Sequence, residues 1–243
     1  MILDIHCHFG KATYTYKPKE FTLEQLLERM DQANVDKACC FSFFEPALID
    51  NEFVANSGKR SDRLIPFAFV VPQFKKSVDE LENLAREKRV RGLKLHPYIH
   101  GYNANNTFLL DPIYEIAQKY NLTILHHCSC ETNNMPSQIA FMAGRFPKVN
   151  IVLAHGGFIW ARQEAVNEAE KHPNLYIGTT CLLPWTIRFG IDQIGPEKYV
   201  FESDTPWGDA RNEIAKLKLV LTDRELELVL WENGARLVGA AKR

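Results

Sequence analysis

The sequence predicts a distorted (β/α)8 TIM barrel, and three observations carry that expectation. Short apolar runs alternate with longer amphipathic segments, eight such runs can be counted, and 243 residues is the length at which eight strand–helix units close on themselves. Strands separated by helices pair in parallel through right-handed crossovers. The rival is an open doubly wound sheet, which often carries a glycine-rich phosphate loop after its first strand. Here the first strand runs into His6-Cys-His-Phe-Gly10, which is no such loop. No internal repeat, Gly/Ser linker or charge block interrupts the alternation, so residues 1–243 read as one domain.

The elements follow in order. Met1–His6 is the first strand. Thr22–Asn34 is a helix, with Thr22 as its cap and Leu23, Leu26, Leu27 and Met30 on one face. Val35–Phe43 and Leu64–Val71 are the second and third strands, the latter stopped by Pro72. Ser77–Arg89 is helical, and Val90–Leu95 is the fourth strand. Asp111–Tyr120 is a helix with Pro112 at its first position. Leu122–His127 is the fifth strand, Pro136–Phe146 a helix, Asn150–His155 the sixth strand and Phe158–His172 a helix. Leu175–Thr179 is the seventh strand, Leu182–Ile194 fits neither period, and Lys198–Ser203 is the eighth strand. Asn212–Leu221 and Asp223–Val238 close the chain as helices.

Composition narrows the function. The chain is 46% hydrophobic and 24% charged, which excludes disorder and low complexity. With 29 basic against 30 acidic residues, charge gives no case for nucleic acid or an anionic membrane as partner. No apolar run reaches the roughly 18–20 residues of a membrane-spanning helix. The N-terminus lacks the basic-then-apolar pattern of a signal peptide. The six cysteines form no paired CxxC, and the expected setting is the cytoplasm with thiols reduced. A small molecule is the expected partner, and a homo-oligomer is left open.

The eight histidines are unevenly placed. His6 and His8 end strand one, His96 strand four, His126 and His127 strand five, and His155 strand six, while Asp204 ends strand eight. In a β/α barrel all these positions share the C-terminal rim, where active sites are built. A lone histidine after an apolar run is ordinarily a half-buried core residue, but coincidence across four strands is a poor account of the pattern. In His6-Cys-His8 the period of two sends both imidazoles to one face and Cys7 to the other, as sharing one metal ion requires. For strand five, periodicity does not decide between His126 and His127.

These pieces resemble the amidohydrolase superfamily, in particular its amidohydrolase-related branch of metal-dependent hydrolases and non-oxidative decarboxylases. The matching stretches are Asp4-Ile-His6-Cys-His8, Arg91-Gly-Leu-Lys94-Leu-His96-Pro97, Leu122-Thr-Ile-Leu-His-His127, Ile151-Val-Leu-Ala-His155-Gly-Gly and Phe201-Glu-Ser-Asp204-Thr-Pro206. The closing Trp231-Glu-Asn233-Gly-Ala-Arg236-Leu237 looks like the family's Asn-Ala-x-x-Leu ending. The resemblance implies a metal site at the C-terminal rim. It would hold one divalent metal, zinc foremost, with His6, His8, His127 and Asp204 as ligands. His127 is chosen because Thr123–His127 and Ile151–His155 are equally long up to the histidine. The resemblance makes His155 a residue that orients or protonates substrate, or a ligand where two metals bind, and it makes Asp204 the general base. The activity implied is hydrolysis of an amide, ester or lactone of a small molecule by a metal-activated water. The alternatives are non-oxidative decarboxylation of a small aromatic acid, and a metal-binding barrel without catalysis.

Three places depart from the family or leave a choice. Relatives commonly carry glycine at Glu202; period two from Asp204 turns Glu202 into the barrel, and Asp4 is expected inward below His6, each accepting hydrogen bonds from an imidazole or a backbone amide. Lys94 shares a face with His96. If carbamylated, as in two-metal relatives, it would bridge a second metal; otherwise it binds a substrate carboxylate or pairs with Glu202. The pocket is expected to draw on Phe9, Tyr98, His100, Tyr102, Trp185, Arg188 and Trp207, with His96, Arg188 and Trp207 as the substrate-binding set and Arg188 as either a carboxylate clamp or a solvated arginine.

Overall fold

A computed structural model describes residues 1–12 and 19–240. Eight parallel strands form one sheet: β1 (Leu3–His8), β2 (Lys37–Phe41), β3 (Leu64–Phe69), β4 (Gly92–Leu95), β5 (Thr123–His127), β6 (Ile151–Ala154), β7 (Leu175–Gly178) and β8 (Tyr199–Val200). Each pairs with its neighbour in sequence. The sheet closes where the Ile5 N–H donates to the Phe201 carbonyl oxygen (3.0 Å) and the His8 N–H to that of Thr205 (2.7 Å). The barrel expected from the alternation is therefore the fold. β8 is shorter than its apolar run, because beyond Val200 the chain bonds across to β1 in irregular extended form.

The helices are α1 (Leu23–Ala33), α2 (Asn51–Arg60), α3 (Lys75–Arg86), α4 (Pro97–His100), α5 (Thr107–Tyr120), α6 (Pro136–Arg145), α7 (Phe158–Lys171), α8 (Pro184–Ile194), α9 (Ala210–Lys218), α10 (Asp223–Glu227) and α11 (Asn233–Val238). Thr22 caps α1 as expected, its hydroxyl accepting from the Gln25 N–H while the Gln25 side chain accepts from the Thr22 N–H. Three differences have local causes. α2 lay hidden because its Asn, Ser and Gly residues are weak helix formers; Asp50 starts it by accepting the Phe53 N–H. α5 begins at Thr107, where Asn106 caps the Leu109 N–H, so Pro112 lies inside the helix instead of opening it. The segment without a period is α8, entered through Pro184. Among the described residues no helix is long and apolar enough to cross a membrane.

Two apolar layers hold the barrel. Outward side chains of the strands pack against the helices, Cys7, Ile124, Leu153 and Phe201 among them. Inward ones, including Leu3, Ile5, Phe41, Phe67, Leu125, Val152 and Val200, fill the interior together with Trp231, Leu237 and Val238. The last helix thus plugs the N-terminal mouth, and the Thr123 hydroxyl at the start of β5 donates to the Leu237 carbonyl oxygen (2.7 Å). The C-terminal mouth stays open.

One register feature matters for the site. Between Asp4 and Cys7, β1 spends three steps where β2 spends two, from Ala38 to Cys40. This bulge lets Leu3 and Ile5 point inward, then returns His6 and His8 to the same side. Asp4 consequently does not lie inside the barrel below His6, as strict alternation predicts. Its Oδ1 accepts the backbone N–H of His6 (3.1 Å) and of Ser203 (3.0 Å), tying β1 to the segment after β8.

Candidate active site

The C-terminal mouth holds a cavity of about 170 Å³ lined by His6, His8, Lys94, His96, His127, His155, Asp204, Phe44, Phe158 and Trp207. Each histidine arrives from a strand end. In β5 the inward parity passes from Leu125 to His127. His126 therefore faces away from the cavity, fully buried, with its Nε2 unpartnered.

Two imidazoles are locked from behind. His8 Nδ1 lies 2.9 Å from the Ser42 carbonyl oxygen, which can only accept, so Nδ1 carries the proton and Nε2 turns to the cavity as a lone pair. His6 Nδ1 lies 3.0 Å from Glu202 Oε2. The two Nε2 atoms are 3.2 Å apart, and Asp204 Oδ1 lies 3.1 Å from that of His6 and 3.5 Å from that of His8. His6, His8 and Asp204 thus gather potential ligand atoms within 4.8 Å of one another, as do His6, His155 and Glu202. His127 belongs to neither close group. It lies flat against His96, ring centroids 3.8 Å apart, and edge-on to His155 at 4.8 Å.

Burial sets the protonation. It drives His6, His96 and His127 well below the ordinary imidazole value, lowers His8, and brings His155 down to about 4, so these rings are neutral near pH 7. Burial also pushes the Lys94 ammonium down to about 8, against the pull of Asp204 and Glu202. Lys94 Nζ sits 3.2 Å from His6 Nε2. Burial raises Asp204, but the adjoining His8 and His155 and the Lys94 ammonium outweigh that and hold its carboxyl below its ordinary value. Burial raises Glu202 well above the ordinary carboxylate value, although the His155 N–H, which donates to its Oε1 at 2.5 Å, pulls the other way.

The rim has a distinctive backbone. His155, Cys181 and Asp204, at the ends of β6, β7 and β8, all take positive φ, at 66°, 62° and 59°. The turn at Asp204 leaves its carboxylate facing the imidazoles rather than capping the segment that follows. Cys181 Sγ lies 3.7 Å from His155 Nδ1, a contact the sequence did not signal. Phe44 and Phe158 were also missed, although each directly follows a strand-end stretch.

The expected substrate-binding set is only partly assembled. His96 and Trp207 line the cavity, Trp207 meeting His8 edge-on at 4.8 Å. Arg188 is a correction. It projects from α8 outside the cavity lining, its guanidinium bonded to both Glu225 oxygens (2.9 Å) and to Asp192 (2.6 Å). Trp185 is exposed on the same helix, Tyr98 is exposed on α4, and Phe9 is buried against Phe53. The His100 ring donates from Nε2 to the Phe44 carbonyl oxygen (2.9 Å), supporting the wall rather than lining it.

Residues 3–240 match the family described as Amidohydrolase, and the chain belongs to that family. No curated protein matches it. An uncharacterized TIM-barrel protein from Bordetella bronchiseptica has 18% identity and a TM-score of 0.82, over 100% of this chain and 99% of its own. 5-Carboxyvanillate decarboxylase from Sphingomonas paucimobilis has 14% identity and a TM-score of 0.74, over 98% of each chain. A probable 2-pyrone-4,6-dicarboxylic acid hydrolase from Acinetobacter baumannii has 18% identity and a TM-score of 0.73, over 98% of this chain and 99% of its own. At these identities the likeness is one of fold.

Proposed function

We propose that the chain is a metal-dependent hydrolase that cleaves an amide, ester or lactone bond of a small molecule. One observation carries the reading. His6 Nε2, His8 Nε2 and Asp204 Oδ1 converge on one point as three candidate ligand atoms, and for His8 the proton is held on the far nitrogen. Lone pairs this close need a cation or a donor among them; the Lys94 ammonium, 3.2 Å from His6 Nε2, serves one of the three, and a metal ion would serve them all. Two imidazoles and a carboxylate suit a divalent ion of zinc's type, and His127, in the same cavity lining, is the further imidazole that would complete the set. A bound divalent ion would polarise the substrate carbonyl and lower the pKa of a water towards about 7.

The remaining work belongs to the chain. Asp204, ionised near neutrality, accepts the proton of the attacking water and passes it to the leaving group. His155, neutral and edge-on to His127, hydrogen-bonds the substrate carbonyl. His96 and Trp207 form the wall against which a planar substrate lies, and Phe44 and Phe158 limit its size.

Lys94 favours a second reading. Its ammonium lines the cavity, and among the described residues no carboxylate pairs with it at ion-pair distance. It is placed to hold a substrate carboxylate, which fits non-oxidative decarboxylation. The same lysine, carbamylated, would bring a second metal. Incubation of metal-loaded protein with activated esters, lactones and aromatic acids separates the readings. Alcohol or acid release supports the hydrolase, carbon dioxide from the aromatic acids supports the decarboxylase, and a metal-loaded protein inert to all of them favours a barrel without catalysis.

A further inference from the structure

Glu202 lies at the end of β8, beside the barrel mouth. It is fully buried, and each oxygen has its own partner: Oε2 meets His6 Nδ1 at 3.0 Å, and Oε1 accepts the His155 N–H at 2.5 Å. It therefore joins the end of β8 to two neighbouring rim histidines, whose ring centroids are 5.0 Å apart. The space it occupies is supplied by β7. A Cβ added to Gly178 would lie 2.1 Å from Oε1 and 2.3 Å from the carboxyl carbon, well inside any real contact.

We propose that Glu202 is a positioning residue that fixes His6 in the tautomer with its proton on Nδ1 and its Nε2 lone pair in the cavity, and that Gly178 is the gap this carboxylate requires. The hydrogen-bond inventory leads there. The Lys94 ammonium, 3.2 Å from His6 Nε2, can only donate, so that nitrogen accepts and Nδ1 carries the proton; the two Glu202 oxygens then accept from His6 Nδ1 and the His155 backbone N–H together. A glutamine in the same place offers one oxygen and one NH2. The His155 backbone N–H can only donate, so it claims the oxygen. The NH2 then faces His6 Nδ1 and forces that atom to accept, which moves the ring proton to Nε2, the atom that faces His8 and Asp204. The same bond to His155 holds the backbone of a residue that sits at positive φ. One carboxylate thus sets the donor atom of His6 and the position of His155.

The consequence for metal binding rests on the metal-dependent reading above, but the tautomer does not. The test uses the full chain with 15N-labelled histidine, stripped with chelator. Long-range 1H–15N spectra at pH 7.5 report which nitrogen of each ring is protonated, and competition with a zinc indicator reports affinity. For the wild type we expect His6 protonated on Nδ1. In Glu202→Gln we expect the proton on Nε2 and zinc affinity lower by about 10–100-fold. Gly178→Ala should displace the carboxylate and give the same tautomer change. Gly178→Ala combined with Glu202→Gly should recover the thermal stability lost in Gly178→Ala, but not the tautomer.

Wild-type His6 protonated on Nε2 overturns the proposal without any variant, which covers the case in which Glu202→Gln does not fold. An unchanged tautomer in folded Glu202→Gln overturns it too; if zinc affinity falls in that variant, Glu202 is a direct ligand instead. A wild type with the expected tautomer and no affinity for zinc leaves the positioning role standing and removes the metal reading alone.

Discussion

His96 and His127 stack face to face, with ring centroids 3.8 Å apart and planes 16° from parallel. Two imidazoles at that separation repel if both become imidazolium, and burial already disfavours the first charge. The pair is therefore a neutral wall across the mouth of the barrel, and its behaviour towards acid follows.

The metal-free protein should lose stability as pH falls from about 6.5 towards 4. In that window the unfolded chain takes up protons on histidines that the folded chain keeps neutral. His6, His96 and His127 are held well below the ordinary value by burial, and His126 and His155 are brought to about 4. Each costs at most about 1.4 kcal/mol per pH unit. Burial raises Asp4 to about 6 and also raises Glu202, so these two act in the opposite sense but are outnumbered. Thermal unfolding of chelated protein at pH 7.5 and 5 checks the direction; an equal or higher Tm at pH 5 would show that the rings are protonated in the folded state.

Purified protein should carry about one divalent ion per chain, zinc foremost. Elemental analysis gives the stoichiometry. Chelator should lower the Tm, since an ion bound only by the folded chain stabilises it in proportion to the logarithm of its concentration over Kd. A metal-free preparation whose Tm ignores both zinc and chelator would sink the metal reading.

Metal retention should depend on His127 and not on His126. His127→Ala should reduce bound metal strongly. His126→Leu should keep it, because the wild-type ring faces away from the cavity and leaves its Nε2 without a partner. The reverse result would place the wrong face of β5 inward.

Asp204→Asn should keep the fold and part of the metal but lose about 10²–10⁴-fold in turnover, because an amide cannot take the water's proton. The acid limb of the pH–rate profile should shift or vanish in the variant. Turnover near the wild-type level would exclude Asp204 as general base.

Strand-end chemistry was legible in the sequence because it obeys a simple rule. His6, His8, His96, His127, His155 and Asp204 each follow an apolar run, and parallel strands bring all such ends to one rim. Asp4 escaped the rule because a bulge, which leaves no mark in the residue pattern, changed parity between Ile5 and His6. Arg188 escaped it because its partner Glu225 lies on α10, and a contact across 37 positions has no local signal. The His8 anchor was illegible for another reason: it is a backbone carbonyl, at Ser42, and any residue type supplies one.

The three rim residues at positive φ bear on how this chain can be engineered. A side chain in that conformation costs roughly 1–2 kcal/mol relative to glycine, and His155, Cys181 and Asp204 take it on adjoining strands. Selection for heat resistance alone would favour glycine at these positions, and each replacement would delete a group from the mouth of the barrel. Directed evolution scored on melting temperature, blind to turnover, would drift towards a sturdier and inert protein.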